Sequence, residues 1–140
     1  MANVKFTAQA KAVGGRNGKV TSDNGVIDHN LVMPTGQTSS TEGTNPEQLF
    51  AAGYAACFDG ALNLIASKEK KDIESELEAK VSLLEDPADN GFKIGVVLHA
   101  RIKGVNQEEA EQLVEKAHQF CPYSKATRGN IDVELKTTVQ

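Results

Sequence analysis

The sequence has no tryptophan, and aromatic residues make up only 5% of it. The core must therefore come from valine, isoleucine, leucine and alanine, with few large anchors. A core of that kind favours further burial against a second subunit. Cysteine is as scarce. Two in 140 residues exclude a disulfide-stapled scaffold, which needs a higher density. Charge of one sign is also missing as a block. A formal net charge of −4 and a pI near 5.4 leave no basic stripe for nucleic acid. The first residues, Met1-Ala-Asn-Val-Lys-Phe6, have no apolar run of the signal-peptide kind. No stretch approaches the roughly 18 consecutive apolar residues expected of a membrane helix. The expectation is a cytoplasmic chain with no nucleic-acid or membrane partner. In a reducing compartment, a transient disulfide is more plausible than a permanent one. The length suits a single domain over residues 1–140, with no linker and no repeat.

What is present is periodicity that changes along the chain. Val4, Phe6, Ala8, Ala10 and Ala12 alternate with polar residues, which predicts a strand with one wet face. Gly14-Gly-Arg-Asn-Gly18 breaks it as a hairpin turn, and Lys19–Ser22 and Val26–Val32 supply the next strands. A long polar loop runs from Met33 to Gly43. Asn45 then reads as a helix N-cap, Pro46 as the first helical residue and Gln48 as the partner in a capping box. From Gln48 to Ser67 the only formal charge is Asp59, so this helix is expected to be buried nearly all round. Leu77–Leu83 and Phe92–Ile102 alternate about a turn and form a hairpin. Asn106 caps a second helix whose buried stripe is Ala110, Leu113, Val114 and Ala117. Pro122 stops that helix beyond Cys121, and Ile131 to Thr137 alternate as a last strand. The order predicts an α+β domain on antiparallel sheet, with a long buried central helix and a second helix.

Several residues could carry chemistry, each with a plainer reading beside it. Cys57 sits among small apolar residues and Cys121 ends an amphipathic helix. Each is by itself an inert core residue or one half of a dithiol couple. Burial disfavours a thiolate, so a reactive Cys57 needs a cation or donors to oppose it. Arg16 and Arg128 are candidates, and each alone reads as a surface residue. Glu47 either complements the positive end of a helix or holds an arginine through a bidentate pair. His29, His99 and His118 with the cysteines lack zinc-ligand spacing, and the Gly14–Gly18 stretch lacks the lysine and serine of a phosphate loop.

Two longer blocks are more specific. Gly43-Thr-Asn-Pro-Glu-Gln-Leu-Phe-Ala-Ala-Gly-Tyr-Ala-Ala-Cys-Phe58 and Cys121-Pro-Tyr-Ser-Lys-Ala-Thr-Arg-Gly-Asn130 resemble the two signature blocks of the organic hydroperoxide resistance proteins, the Ohr branch of the OsmC/Ohr superfamily. The resemblance spans essentially the whole chain, and Tyr123 favours the Ohr branch. The Thr35–Glu42 loop departs from the family in being rich in Ser and Thr where more glycine is expected. The resemblance implies a thiol peroxidase that reduces organic hydroperoxides, with Cys57 peroxidatic and Cys121 resolving. It further implies that Arg16 holds Cys57 as thiolate and Glu47 orients Arg16. No metal and no bound cofactor are implied, and the reductant is a lipoyl-bearing protein. An OsmC-type peroxidase of broader peroxide range, or a redox sensor that never turns over, are the alternatives.

The resemblance also implies an intertwined homodimer, and helix geometry gives a reason for one. Glu47 and Cys57 are ten residues apart on one helix, about 15 Å along its axis at 1.5 Å per residue. Two copies packed antiparallel about Ala52 and Gly53 would bring Glu47 of one level with Cys57 of the other.

Overall fold

The computed structural model describes residues 2–140, which divide into two compact units, one ending at Leu49 and the other running from Phe50 to Gln140. In the first, β1 (Ala10–Val13), β2 (Lys19–Ser22) and β3 (Asp28–Asn30) form an antiparallel sheet in sequence order. β1 is shorter than the alternation from Val4 predicts. The reason is the lack of a neighbour. After Ser22 the chain turns away, and Gln9 makes the last tie by accepting from the Asp23 amide. Val4 and Phe6 are 77% and 84% exposed.

The turn between β1 and β2 is one 3-10 turn, Gly15–Asn17, that carries Arg16. Gly18 is obligatory here, because a Cβ would stand 1.7 Å from the Val13 carbonyl oxygen. The polar loop that follows is tied at both ends. Met33 donates its amide to Asn17 Oδ1, and Thr44 exchanges backbone bonds with Asn30 and Val32.

α1 (Pro46–Lys68) begins where the sequence places it. Asn45 Oδ1 accepts from the Gln48 amide at 2.7 Å, satisfying one of the orphan donors of the first turn. The capping box is incomplete, however. Gln48 Oε1 accepts from Thr44 Oγ1 instead of reaching back to the Asn45 amide.

The second unit contains the rest of α1, then β4 (Glu74–Asp86), β5 (Gly91–Lys103), α2 (Gln107–Phe120), α3 (Pro122–Thr127) and β6 (Val133–Val139). β4 and β5 form a long antiparallel hairpin, but β6 pairs with β5 in parallel. The sheet is mixed and not purely antiparallel, as the sequence reading had it. Two helices stand between β5 and β6, and a crossover of that length lets the last strand return in the same direction. The core joins Tyr54, Phe58, Leu62 and Ala66 of α1 to Leu98, Ala100 and Ile102 of β5 and to Ala110, Leu113, Val114 and Ala117 of α2. The α2 stripe is therefore buried as its spacing predicts, and Asn106 and Glu109 form a complete capping box. Burial of α1 is one-sided in this chain, since Ala52, Ala56, Gly60 and Leu64 face out. The helix is long and apolar enough to cross a membrane by length and composition alone, but its buried face belongs to this core.

Candidate active site: two thiols and an ion pair

Cys57 and Tyr54 lie one turn apart on α1 and so share a face. Cys121 lies at the corner where α2 gives way to α3 and caps both helices. Pro122, the first residue of α3, sets that corner because it has no amide to continue α2. The corner packs on α1 and brings the sulfurs to 3.5 Å, with the Cys121 thiol donating to Cys57. Both are free thiols; Cys121 is fully buried and Cys57 half-buried.

Burial pushes the Cys57 thiol up from its ordinary pKa. The backbone N–H of Tyr123 donates to the sulfur and works the other way, while the neighbouring Cys121 adds to the rise. Tyr123 is in the first turn of α3, where amides have no acceptor within the helix. Its ring packs against Phe50 and Tyr54 at 5.8 and 5.5 Å. Gly53 makes room for it, since a Cβ there would come within 2.6 Å of the Tyr123 hydroxyl. Phe58 and Tyr54 line the buried side. Phe120, the last residue of α2, lies 43% exposed beneath Lys68.

In the first unit Arg16 and Glu47 form a two-pronged pair. Nη1 donates to Oε1 at 2.6 Å and Nη2 to Oε2 at 2.9 Å. This fork geometry needs a guanidinium and a carboxylate held square to each other. The hydrogen bonds from Arg16 hold the Glu47 carboxyl below the usual range against an opposing effect of burial. The Arg16 charge is reinforced in turn. Glu47 also lies in the first turn of α1, where negative charge is favoured. The structure thus assembles the four sequence-selected residues as two couples, Cys57 with Cys121 and Arg16 with Glu47. Arg128 is used otherwise, donating to the His118 carbonyl at 2.8 Å.

Among the described residues no cluster of three or more His, Cys, Asp or Glu side chains could hold a metal. A cavity of about 470 Å³ lies at the tip of the β4–β5 hairpin, lined by Glu85, Asp86, Pro87, Asn90, Gly91 and Phe92. None of the four site residues lines it.

Residues 37–136 match the family of OsmC-like proteins. The chain is 56% identical over 131 residues to the organic hydroperoxide resistance protein OhrB of Bacillus subtilis (strain 168), covering 94% of this chain and 96% of that one. It belongs to the organic hydroperoxide resistance branch of the OsmC family. The OhrA protein of the same organism is 55% identical over 138 residues, covering 97% and 98%. The crystal structure of OhrB shares the fold of this Ohr chain with a TM-score of 0.91 at 55% identity, covering 96% of this chain and all of that one. The α+β architecture expected from the sequence is thus that of solved Ohr proteins. Family membership ties the chain to organic hydroperoxide resistance.

Sequence reasoning missed a set of hydroxyl groups beside the thiols. The Tyr54 hydroxyl lies 2.8 Å from Ser124 Oγ and 3.1 Å from Thr127 Oγ1, and all three residues are buried. His118 Nδ1 lies 2.8 Å from the same Ser124 Oγ. The available signal was the spacing of His118, Cys121 and Ser124, three residues apart around the proline. It is too short to be specific.

Proposed function

We infer that this chain is an organic hydroperoxide reductase that works through Cys57 and Cys121. The observation that carries the reading is the pair of free sulfurs 3.5 Å apart, contributed by segments distant in sequence. The Cys57 thiolate attacks the distal oxygen of ROOH. The O–O bond breaks, ROH leaves after taking a proton, and Cys57 becomes a sulfenic acid. The Cys121 thiol then displaces the hydroxyl as water and forms the disulfide. An external dithiol returns both sulfurs to thiols and is itself oxidised to a disulfide. The apolar surroundings, Phe50, Phe58 and Tyr123, favour an alkyl or fatty-acid peroxide over hydrogen peroxide. They also favour a dithiol on an apolar arm, such as a lipoyl group on a protein. The OsmC-type relative of broader peroxide range is the second reading, and a redox sensor of the same dithiol the third.

Burial holds the Cys57 thiol up, so its attack on peroxide needs a cation beside it. In this proposal Arg16 is that cation, and Glu47 orients its guanidinium. α1 is continuous from Pro46 to Lys68, which keeps Glu47 about 15 Å along the axis from Cys57. A homodimer with antiparallel α1 helices lets the pair of one chain serve the thiols of the other. The out-facing Ala52, Ala56 and Gly60 permit close approach. The working unit is then two copies of residues 1–140 in the cytoplasm.

The deciding experiment is a free-thiol count after one equivalent of cumene hydroperoxide per subunit. Loss of two thiols per subunit, followed by steady turnover with dihydrolipoamide and little with glutathione at matched thiolate concentration, supports the reductase. Thiol loss without turnover on any dithiol makes the chain a sensor. No peroxide-dependent loss makes the cysteines inert.

A further inference from the structure

The hydroxyl groups next to the thiols admit a count of their protons. Four hydrogen bonds join them: Thr127 Oγ1 to the Ser124 carbonyl at 3.3 Å, Tyr54 to Thr127, Tyr54 to Ser124, and Ser124 to His118 Nδ1. The three hydroxyl groups have one proton each. Thr127 spends its proton on the carbonyl, which has none to give. Tyr54 must then donate to Thr127, and Ser124 must donate to Tyr54. The bond to His118 can form only if Nδ1 is the donor. All four bonds coexist solely as a directed chain, His118 to Ser124 to Tyr54 to Thr127 to the Ser124 carbonyl. Burial and the nearby Arg128 charge hold His118 below its ordinary pKa, which favours the neutral ring, and the bond count puts its proton on Nδ1. Arg128 fixes the His118 backbone from the other side. Tyr54, Ser124 and Thr127 are 0%, 0% and 4% exposed, so a lost bond there is not replaced by bulk water.

The placement of this chain gives it a use. Tyr54 is one turn before Cys57 on α1. His118 and Ser124 stand three residues to either side of Cys121, and Thr127 ends α3. One end of the clamp is thus on the helix of the first sulfur and the other on the corner of the second. Forming the disulfide needs the sulfurs to close from 3.5 Å to about 2.05 Å with a defined torsion. A corner that drifts loses that approach.

We propose that Tyr54 is a positioning residue for disulfide formation, holding the Cys121 corner against α1 through Ser124 and Thr127 so that the sulfenic acid on Cys57 is trapped before a second peroxide reaches it. This rests on the thiol-peroxidase reading and adds a residue to it. The test resolves the two chemical steps in Tyr54→Phe, which keeps the ring and removes only the hydroxyl. In rapid-mixing experiments with cumene hydroperoxide, peroxide consumption gives the first step and disulfide formation the second. Disulfide formation is expected to slow about tenfold, the scale of one lost buried hydrogen bond. Peroxide consumption slows much less, and the sulfinic acid fraction at excess peroxide rises. Thr127→Val is expected to behave as Tyr54→Phe does, whereas Thr127→Ser, which restores the hydroxyl, keeps the wild-type partition. Should Tyr54→Phe fail to fold, the two Thr127 variants decide the matter between them. Wild-type partitioning in Tyr54→Phe or in Thr127→Val overturns the proposal, as does equal slowing of both steps. Wild-type protein that consumes peroxide without forming the intramolecular disulfide overturns instead the reading on which it rests.

Discussion

At the residue scale the two cysteines differ in exposure, and their expected roles follow. Cys57 is reachable and receives the Tyr123 amide, whereas Cys121 is sealed at the corner. Cys57→Ser is expected to abolish peroxide consumption, since the attacking sulfur is indispensable to the first step. Cys121→Ser should consume about one peroxide per site and then accumulate sulfenic and sulfinic acids, read by mass spectrometry. Reversal of the two results would exchange the roles. Acid sensitivity belongs to the same scale. The folded Glu47 carboxyl lies below its unfolded value, so the stability it contributes is whole above about pH 4.3 and is lost as pH falls through the folded value. His118 is also depressed. Its unfolded form takes the proton first, so stability declines as pH drops below about 6.5 toward the folded value. Urea unfolding midpoints across these windows should show a shallower acid limb in Glu47→Gln than in wild type. Parallel limbs would mean the pair adds nothing to folding.

At the scale of elements, α1 depends on its first turn, which also carries Glu47. Asn45 is 3% exposed; it accepts from Gln48 and donates to Ser39 at 2.9 Å. Asn45→Ala is expected to cost about 1–2 kcal/mol in urea unfolding, with the larger figure reflecting the orphaned Ser39 contact; a change below a few tenths would show that Thr44 and Gln48 suffice as a cap. This start was legible because Asn-Pro is a local signal. The α2 box and stripe and the β4–β5 hairpin were legible for the same reason: period and cap lie within a dozen residues. What was hidden depends on residues far apart. β1 stops at Ala10 for want of a neighbour, which alternation from Val4 does not reveal. β6 runs parallel because of the crossover before it. α3 was hidden because Pro122, which stops α2, equally suits the start of a new helix. Of the candidate site, Glu47, Cys57 and Cys121 were selected from the two signature blocks and Arg16 from the Gly14–Gly18 turn, and the sequence does not show which of them meet. The Tyr54–Ser124–Thr127 clamp was not, because hydroxyl residues in a helix carry no pattern that says which of them will meet.

At the scale of the whole molecule, the out-facing side of α1 and the exposed Val4 and Phe6 suit the proposed dimer. Mixing Cys57→Ser with Glu47→Ala chains should form dimers with one intact and one doubly damaged site. Activity near half of wild type per mixed dimer supports the shared site, and none in dimers shown to have exchanged removes it. The position of the two thiols has a further, thermal consequence. A bond from Cys57 to Cys121 turns the remainder of α1, the β4–β5 hairpin and all of α2 into a closed ring. Closing a ring of that size strips conformations from the unfolded chain and stabilises the fold by roughly 4 kcal/mol on the chain-entropy account. The oxidised protein should therefore melt on the order of ten degrees above the reduced one, a difference that calorimetry with and without one equivalent of peroxide will read. Equal melting points would mean that the reduced unfolded chain is already constrained or that the bond strains the corner. With the shift, the spent state is the most rugged form of the molecule. On the proposed peroxidase reading, a subunit whose thiols are spent would then outlast a shortage of reductant better than one still waiting to act.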